Sequence, residues 1–101
     1  MSQERPSAGA RLMIGFQGTR ASAELREQLE RTRARGVILF ARNIRDAEQT
    51  RQLIAEIRGL VPWRLLLAVD QEGGPVVRVT RGASVFPGNM ALAACNSVEL
   101  A

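Results

Sequence analysis

The chain is predicted to be α/β, with strands and helices alternating as β-α-β-α-β and the strands parallel. Three observations carry this. Three short runs, at 11–16 (RLMIGF), 37–40 (VILF) and 65–69 (LLLAV), place apolar side chains on both faces, as strands covered from both sides do. Two amphipathic helix signatures stand between them. Each connection carries one helix between short linking turns, so right-handed crossovers bring consecutive strands into parallel pairing.

Each element has its own justification. Residues 1–10 are small and polar, with Pro6 and Gly9, and are expected to form a frayed terminus. The first strand, 11–16, ends at the turn Gln17-Gly18-Thr19. Ser22 caps a helix running from Ala23 to about Arg35, with Glu24 in its first turn. Leu25 and Leu29 form its apolar stripe, and Glu27 and Arg31 stand at i, i+4 in the favourable order. Arg31, Arg33 and Arg35 crowd its last turn, and Gly36 suits the left-handed position after it. After the second strand, Asp46 and Gln49 have capping-box spacing. Leu53, Ile54, Ile57, Leu60 and Val61 share one helical face, which Gly59 and Pro62 terminate. Beyond the third strand the chain turns irregular, through Gly73-Gly74-Pro75 and Phe86-Pro87-Gly88. Asn96 or Ser97 reads as the cap of a third helix that has barely begun at Ala101. The expectation is therefore the N-terminal part of a larger protein.

Composition narrows the chemistry. The 101 residues carry a net charge of +4, and all 14 basic residues are arginine. They are scattered among glutamates with few aromatic residues to stack on bases, so they read as solvated helix faces and no nucleic-acid partner is expected. Histidine and lysine are absent, which excludes imidazole bases, imidazole metal ligands and Schiff-base lysines from these residues. A single cysteine, Cys95, allows neither an internal disulfide nor a zinc site. No metal and no cofactor is expected. No apolar run nears the ~20 residues of a membrane span, and the first residues lack a signal-type apolar core. No membrane partner is expected, and the cytoplasm is the expected compartment.

The chemistry concentrates at Leu65–Arg78, LLLAVDQEGGPVVR. Asp70 and Glu72 follow the third strand at the C-terminal end, where parallel α/β proteins bind ligands. In extended chain their side chains would share one side, about 6–7 Å apart at Cα. Three readings of this pair stay open on the residues alone. They are an acid–nucleophile pair of a glycosidase, one acid on ligand hydroxyls with the other anchoring the glycine turn, or two acids serving the turn. Arg78 can clamp a ligand oxygen or pair with either acid. The glycines match neither a dinucleotide fingerprint nor a phosphate loop.

Four segments, LMIGFQGT (12–19), GVILFARNI (36–44), AVDQEGGPVVRV (68–79) and FPGNMALAA (86–94), come in the order and spacing of one family. The chain resembles the N-terminal part of glycoside hydrolase family 3, and within it the bacterial cytoplasmic β-N-acetylglucosaminidases of peptidoglycan recycling. The resemblance covers residues 11–101, a partial domain truncated at its C-terminus. It implies an N-terminal fragment of a (β/α)8 TIM barrel, whose site lies at the C-terminal ends of the strands. It implies that Asp70 and Arg78 contact the sugar, with Glu72, Gly73 and Gly74 shaping the turn. It also implies retaining hydrolysis of terminal β-linked N-acetylglucosamine, by an Asp nucleophile and a His acid/base that neither lie in this chain. Pro75 stands where the family often has a larger polar residue. The implied partners are a carbohydrate substrate and the remainder of the barrel. Two alternatives are a β-glucosidase or β-xylosidase of the same family, and a non-catalytic truncated product or partner-binding domain.

Overall fold

A computed structural model describes residues 7–101. A short 3-10 turn at Ala8–Arg11 leads into strand β1 (Met13–Ile14), helix α1 (Ala23–Thr32), strand β2 (Gly36–Leu39), a second 3-10 turn at Ala41–Asn43, helix α2 (Ala47–Arg58), strand β3 (Leu66–Val69) and helix α3 (Asn89–Ala94). The sheet has the order β1-β2-β3 and is parallel throughout, with Ile14 beside Val37 and Leu39 beside Val69. This is the β-α-β-α-β portion of a (β/α)8 barrel.

The helices begin where their caps require. Ser22 Oγ accepts from the Leu25 amide at 3.1 Å, and Asp46 Oδ1 from the Gln49 amide at 2.8 Å. Leu25 and Leu29 of α1 and Leu53 and Ile57 of α2 bury completely against Val37 and Leu39 of the central strand. Each such side chain contributes roughly 1.5–3 kcal/mol by leaving water. Phe16, Ala34, Val61 and Leu65 close this core at the ends of the strands. Among the described residues, no helix is long and apolar enough to cross a membrane.

Several local expectations are corrected. Of the terminus expected to fray, residues 1–6 lie outside the described residues, whereas the chain is already ordered from Ala8. Gly9 is buried so tightly that a Cβ would fall 1.6 Å from the Thr32 carbonyl oxygen. Helix α1 stops at Thr32, because Arg33 adopts the left-handed conformation (φ 58°) expected of Gly36. Gly36 instead opens β2, where a Cβ would press on the Met13 side chain at 2.9 Å. Arg33 and Arg35 stack on the Trp63 ring, at 5.2 and 5.8 Å from its centre, and the Trp63 indole donates to the Ala34 carbonyl at 3.0 Å. Glu27 and Arg31 form no ion pair among the described residues. The pairs that do form are Arg20–Glu56 at 2.7 Å and Arg51–Glu48 at 3.2 Å.

Strand β3 is not covered on both faces: Leu66 is exposed on the face opposite the helices, and Val69 is exposed at the open end of this edge strand. The third helix is Asn89–Ala94 and not one capped by Asn96 or Ser97. Gly88 stands at its N-cap, and residues 98–100 form a turn.

Candidate functional site

Three loops leave the C-terminal ends of the strands. The first two are joined by buried side-chain amides. Asn43, wholly buried, accepts from the Phe40 amide through Oδ1 at 2.9 Å. Its Nδ2 donates to the carbonyls of Phe16 at 3.2 Å and Gly18 at 2.7 Å. Gln49 repeats the device one layer below. Its Nε2 donates to the carbonyls of Thr19 and Asn43, both at 2.9 Å, while Oε1 accepts from the Arg45 amide at 2.8 Å. Every polar atom of these two side chains is therefore used, as burial demands.

This network presents Phe40 and Arg42 at the rim. Arg42 Nε donates to the Phe16 carbonyl at 3.0 Å, and its guanidinium lies 4.8 Å from the Phe40 ring centre. Gly15 lies beneath them, where a Cβ would touch Phe40 at 3.4 Å and Arg42 at 3.5 Å. A cleft of about 450 Å³ beside α1 reaches Arg42 and Gly15.

The third loop carries the residues singled out in the sequence. Pairing of Leu39 with Val69 sets Asp70 alongside Phe40, one step beyond the sheet. Asp70 is exposed, and its carboxylate has no hydrogen-bond or ion-pair partner among the described residues. The chain then reverses: the Glu72 and Gly73 amides donate to the Val76 carbonyl at 2.9 and 3.2 Å, and the Val76 amide returns to Gly73 at 3.3 Å. Gly73 and Gly74 take positive φ, 88° and 59°, before the fixed φ of Pro75. The Gly74 amide donates to the Phe86 carbonyl at 2.9 Å, which seats Phe86-Pro87-Gly88 on the turn.

Glu72 belongs to this turn, but not through its carboxylate, one of the readings the residues left open. Only its backbone takes part, while its side chain is exposed and has no partner among the described residues. The anchor is Gln71. Its Oε1 accepts from the amides of Arg78 at 3.0 Å and Val79 at 3.1 Å, and its Nε2 donates to the Val79 carbonyl at 2.9 Å. Arg78 pairs with neither acid. Its guanidinium lies 5.8 Å from the Phe40 ring centre, and its buried Nε has no acceptor.

Asp70 thus stands next to Phe40 by strand register and the Arg78 guanidinium lies near the Phe40 ring, each with its charge uncompensated by a protein ion pair among the described residues. A carboxylate acceptor and a guanidinium donor beside an aromatic ring suit a neutral polyhydroxylated ligand. Sequence reasoning did not assign Phe40, Arg42, Asn43 or Gln71, and it gave Gln49 only a capping-box role, of which the Asp46 half forms while the Gln49 side chain takes the Arg45 amide in place of that of Asp46. The available signals were the cap spacing of Gln49 after Asp46 and a polar Asn three residues past the second apolar run.

The glycosyl hydrolase family 3 N terminal domain matches residues 7–101. A beta-hexosaminidase of Alkalilimnicola ehrlichii is 48% identical over 83 residues, 82% of this chain and 24% of that protein. A beta-hexosaminidase of Pseudomonas aeruginosa is 46% identical over 82 residues, with 81% and 24% covered. The structure of a glycoside hydrolase family 3 beta-N-acetylglucosaminidase from Paenibacillus sp. superposes with a TM-score of 0.78 at 40% identity, over 91% of this chain and 18% of that one. NagZ from Neisseria gonorrhoeae in complex with N-trifluoroacetyl-D-glucosamine gives 0.76 at 33% identity, over 89% and 26%. The chain spans about a quarter of the length of the curated relatives it matches.

Proposed function

The chain belongs to glycosyl hydrolase family 3, and on that premise we propose that the protein carrying it hydrolyses terminal β-linked N-acetylglucosamine from glycosides such as muropeptides. The reading places the reaction in peptidoglycan recycling, in the cytoplasm. In it Asp70 accepts hydrogen bonds from sugar hydroxyls and Arg78 donates to a sugar oxygen. The observation that carries it is the pair of uncompensated charges at the C-terminal edge of β3, where a (β/α)8 barrel holds its substrate. The relatives support the choice of sugar: two are beta-hexosaminidases, and a third was crystallised with an N-acylated glucosamine. Asp70 and Arg78 bind here and do not perform the bond cleavage. The His acid/base and the Asp nucleophile that the family implies are not among these residues, which contain no histidine.

The test is a comparison of aryl β-glycosides of N-acetylglucosamine, glucose and xylose, using the product of the full reading frame that contains these residues. The N-acetylglucosaminide is expected to give the highest kcat/KM. Preference for the glucoside or xyloside would replace the proposed sugar.

A further inference from the structure

The two proposed sugar contacts lie eight residues apart on one loop, which is half-buried at Val76–Val79 but has little backbone hydrogen bonding to fix it. Among the described residues, positions 77–85 make no backbone–backbone hydrogen bond. The Gly73–Val76 turn fixes only the outward half, and the Phe86 contact fixes the segment beyond. Arg78 sits in the unsupported stretch between them. What ties it down is the Gln71 side chain, which caps the Arg78–Val79 peptide with three hydrogen bonds of 2.9–3.1 Å. The Arg78 guanidinium rests on Phe40 with Nε unpartnered, so no ion pair corrects its position if the backbone drifts.

We infer that Gln71 is a positioning residue for Arg78, an assignment that rests on the sugar-contact reading above. The amide is suited to the task in a way its acidic neighbours are not. It accepts from two N–H groups and donates to one carbonyl at once, whereas a carboxylate only accepts. Gln71 adjoins Asp70 in the chain, so the same strap sets the spacing between the carboxylate and the guanidinium. The strap is exposed, and water can satisfy the freed groups when it is removed. Its loss therefore displaces Arg78 without unfolding the protein.

A double-mutant cycle on the product of the full reading frame tests this, with an aryl β-N-acetylglucosaminide as substrate and melting temperature as the control. Gln71→Met keeps the bulk and removes all three bonds. It is expected to lower kcat/KM by about 10- to 100-fold, the usual effect of a misplacement near 1 Å, with melting unchanged. In an Arg78→Ala background the same substitution is expected to have no further effect. Gln71→Glu keeps the acceptor for both N–H groups and is expected to recover part of the loss; it also replaces Gln71→Met in the cycle if that variant folds poorly. Near-normal kcat/KM in Gln71→Met, or a loss that multiplies with that of Arg78→Ala, overturns the assignment. If Arg78→Ala alone leaves kcat/KM unchanged, it is the sugar-contact reading that fails.

Discussion

Asn43 donates from Nδ2 to the carbonyl of Gly18 at 2.7 Å, a bond that spans 25 residues of chain and fixes the loop after β1 to the loop after β2. Truncation at this buried position leaves the Phe40 amide and the Gly18 carbonyl without partners, while the Phe16 carbonyl keeps only Arg42 Nε. Asn43→Ala is therefore expected to destabilise the protein by about 1–3 kcal/mol or more. Asn43→Asp is expected to be no milder, since it turns a donor into an acceptor facing two carbonyls. The midpoint of urea unfolding of the full-length product measures both, and midpoints equal to the parent's would show that the network contributes nothing.

The glycine turn makes a graded prediction. At Gly73, φ is 88° and a Cβ would lie 2.7 Å from the Pro87 carbonyl oxygen, a backbone atom that cannot move aside cheaply. At Gly74, φ is 59°, in the ordinary left-handed region, and the nearest atom would be the Gly88 nitrogen at 3.1 Å. Left-handed backbone costs a non-glycine residue roughly 1–2 kcal/mol before any clash. Gly73→Ala is thus expected to loosen the 70–88 segment more than Gly74→Ala. Limited proteolysis reads this as faster cleavage in that segment, and equal rates for the two variants would contradict the packing described.

Strands and caps were legible in the sequence because their signals are local. Ser22 and Asp46 cap helices in the register their spacing indicates, and of the apolar stripes Leu25, Leu29, Leu53, Ile57 and Val61 are buried while Ile54 and Leu60 are half-buried. The left-handed residue after α1 was misassigned because glycine is the default there. Here Gly36 was needed as glycine by the neighbouring strand, which left the turn to Arg33. Asp70 and Arg78 stood out by charge at a strand end. Gln71 and Asn43 did not, and Gln49 did so only as a cap, since an amide carries no charge, fits no periodicity and here bonds mostly to backbone groups distant in sequence.

Three parallel strands do not close a barrel, which takes eight. Strand β3 keeps an unpaired edge, and Leu66, Phe86, Met90, Val98 and Leu100 face water. The radius of gyration is 17.1 Å, against roughly 13 Å for a compact domain of this length. A polypeptide of these 101 residues is expected to be oligomeric, aggregated or partly ordered in solution. Size-exclusion chromatography with thermal melting checks this. A sharp monomer peak with a cooperative melt would mean that residues 86–101 cover the open face.

The same polypeptide is expected to hydrolyse no aryl β-N-acetylglucosaminide above background. Asp70 and Glu72 are the acids of the loop after β3, and neither has a histidine to work with. Turnover that persists through purification and disappears in both Asp70→Ala and Glu72→Ala would make the local pair catalytic.

Whether the free carboxylate beyond β3 holds the sugar is read most directly from kcat/KM of Asp70→Ala against the parent, in the full-length product, with unfolding followed alongside. Hydrogen bonds to a charged partner contribute about 1.5–3 kcal/mol, so the loss is expected to be about 10- to 150-fold with stability unchanged. A variant of unchanged stability whose kcat/KM stays near the parent's would remove Asp70 from the site.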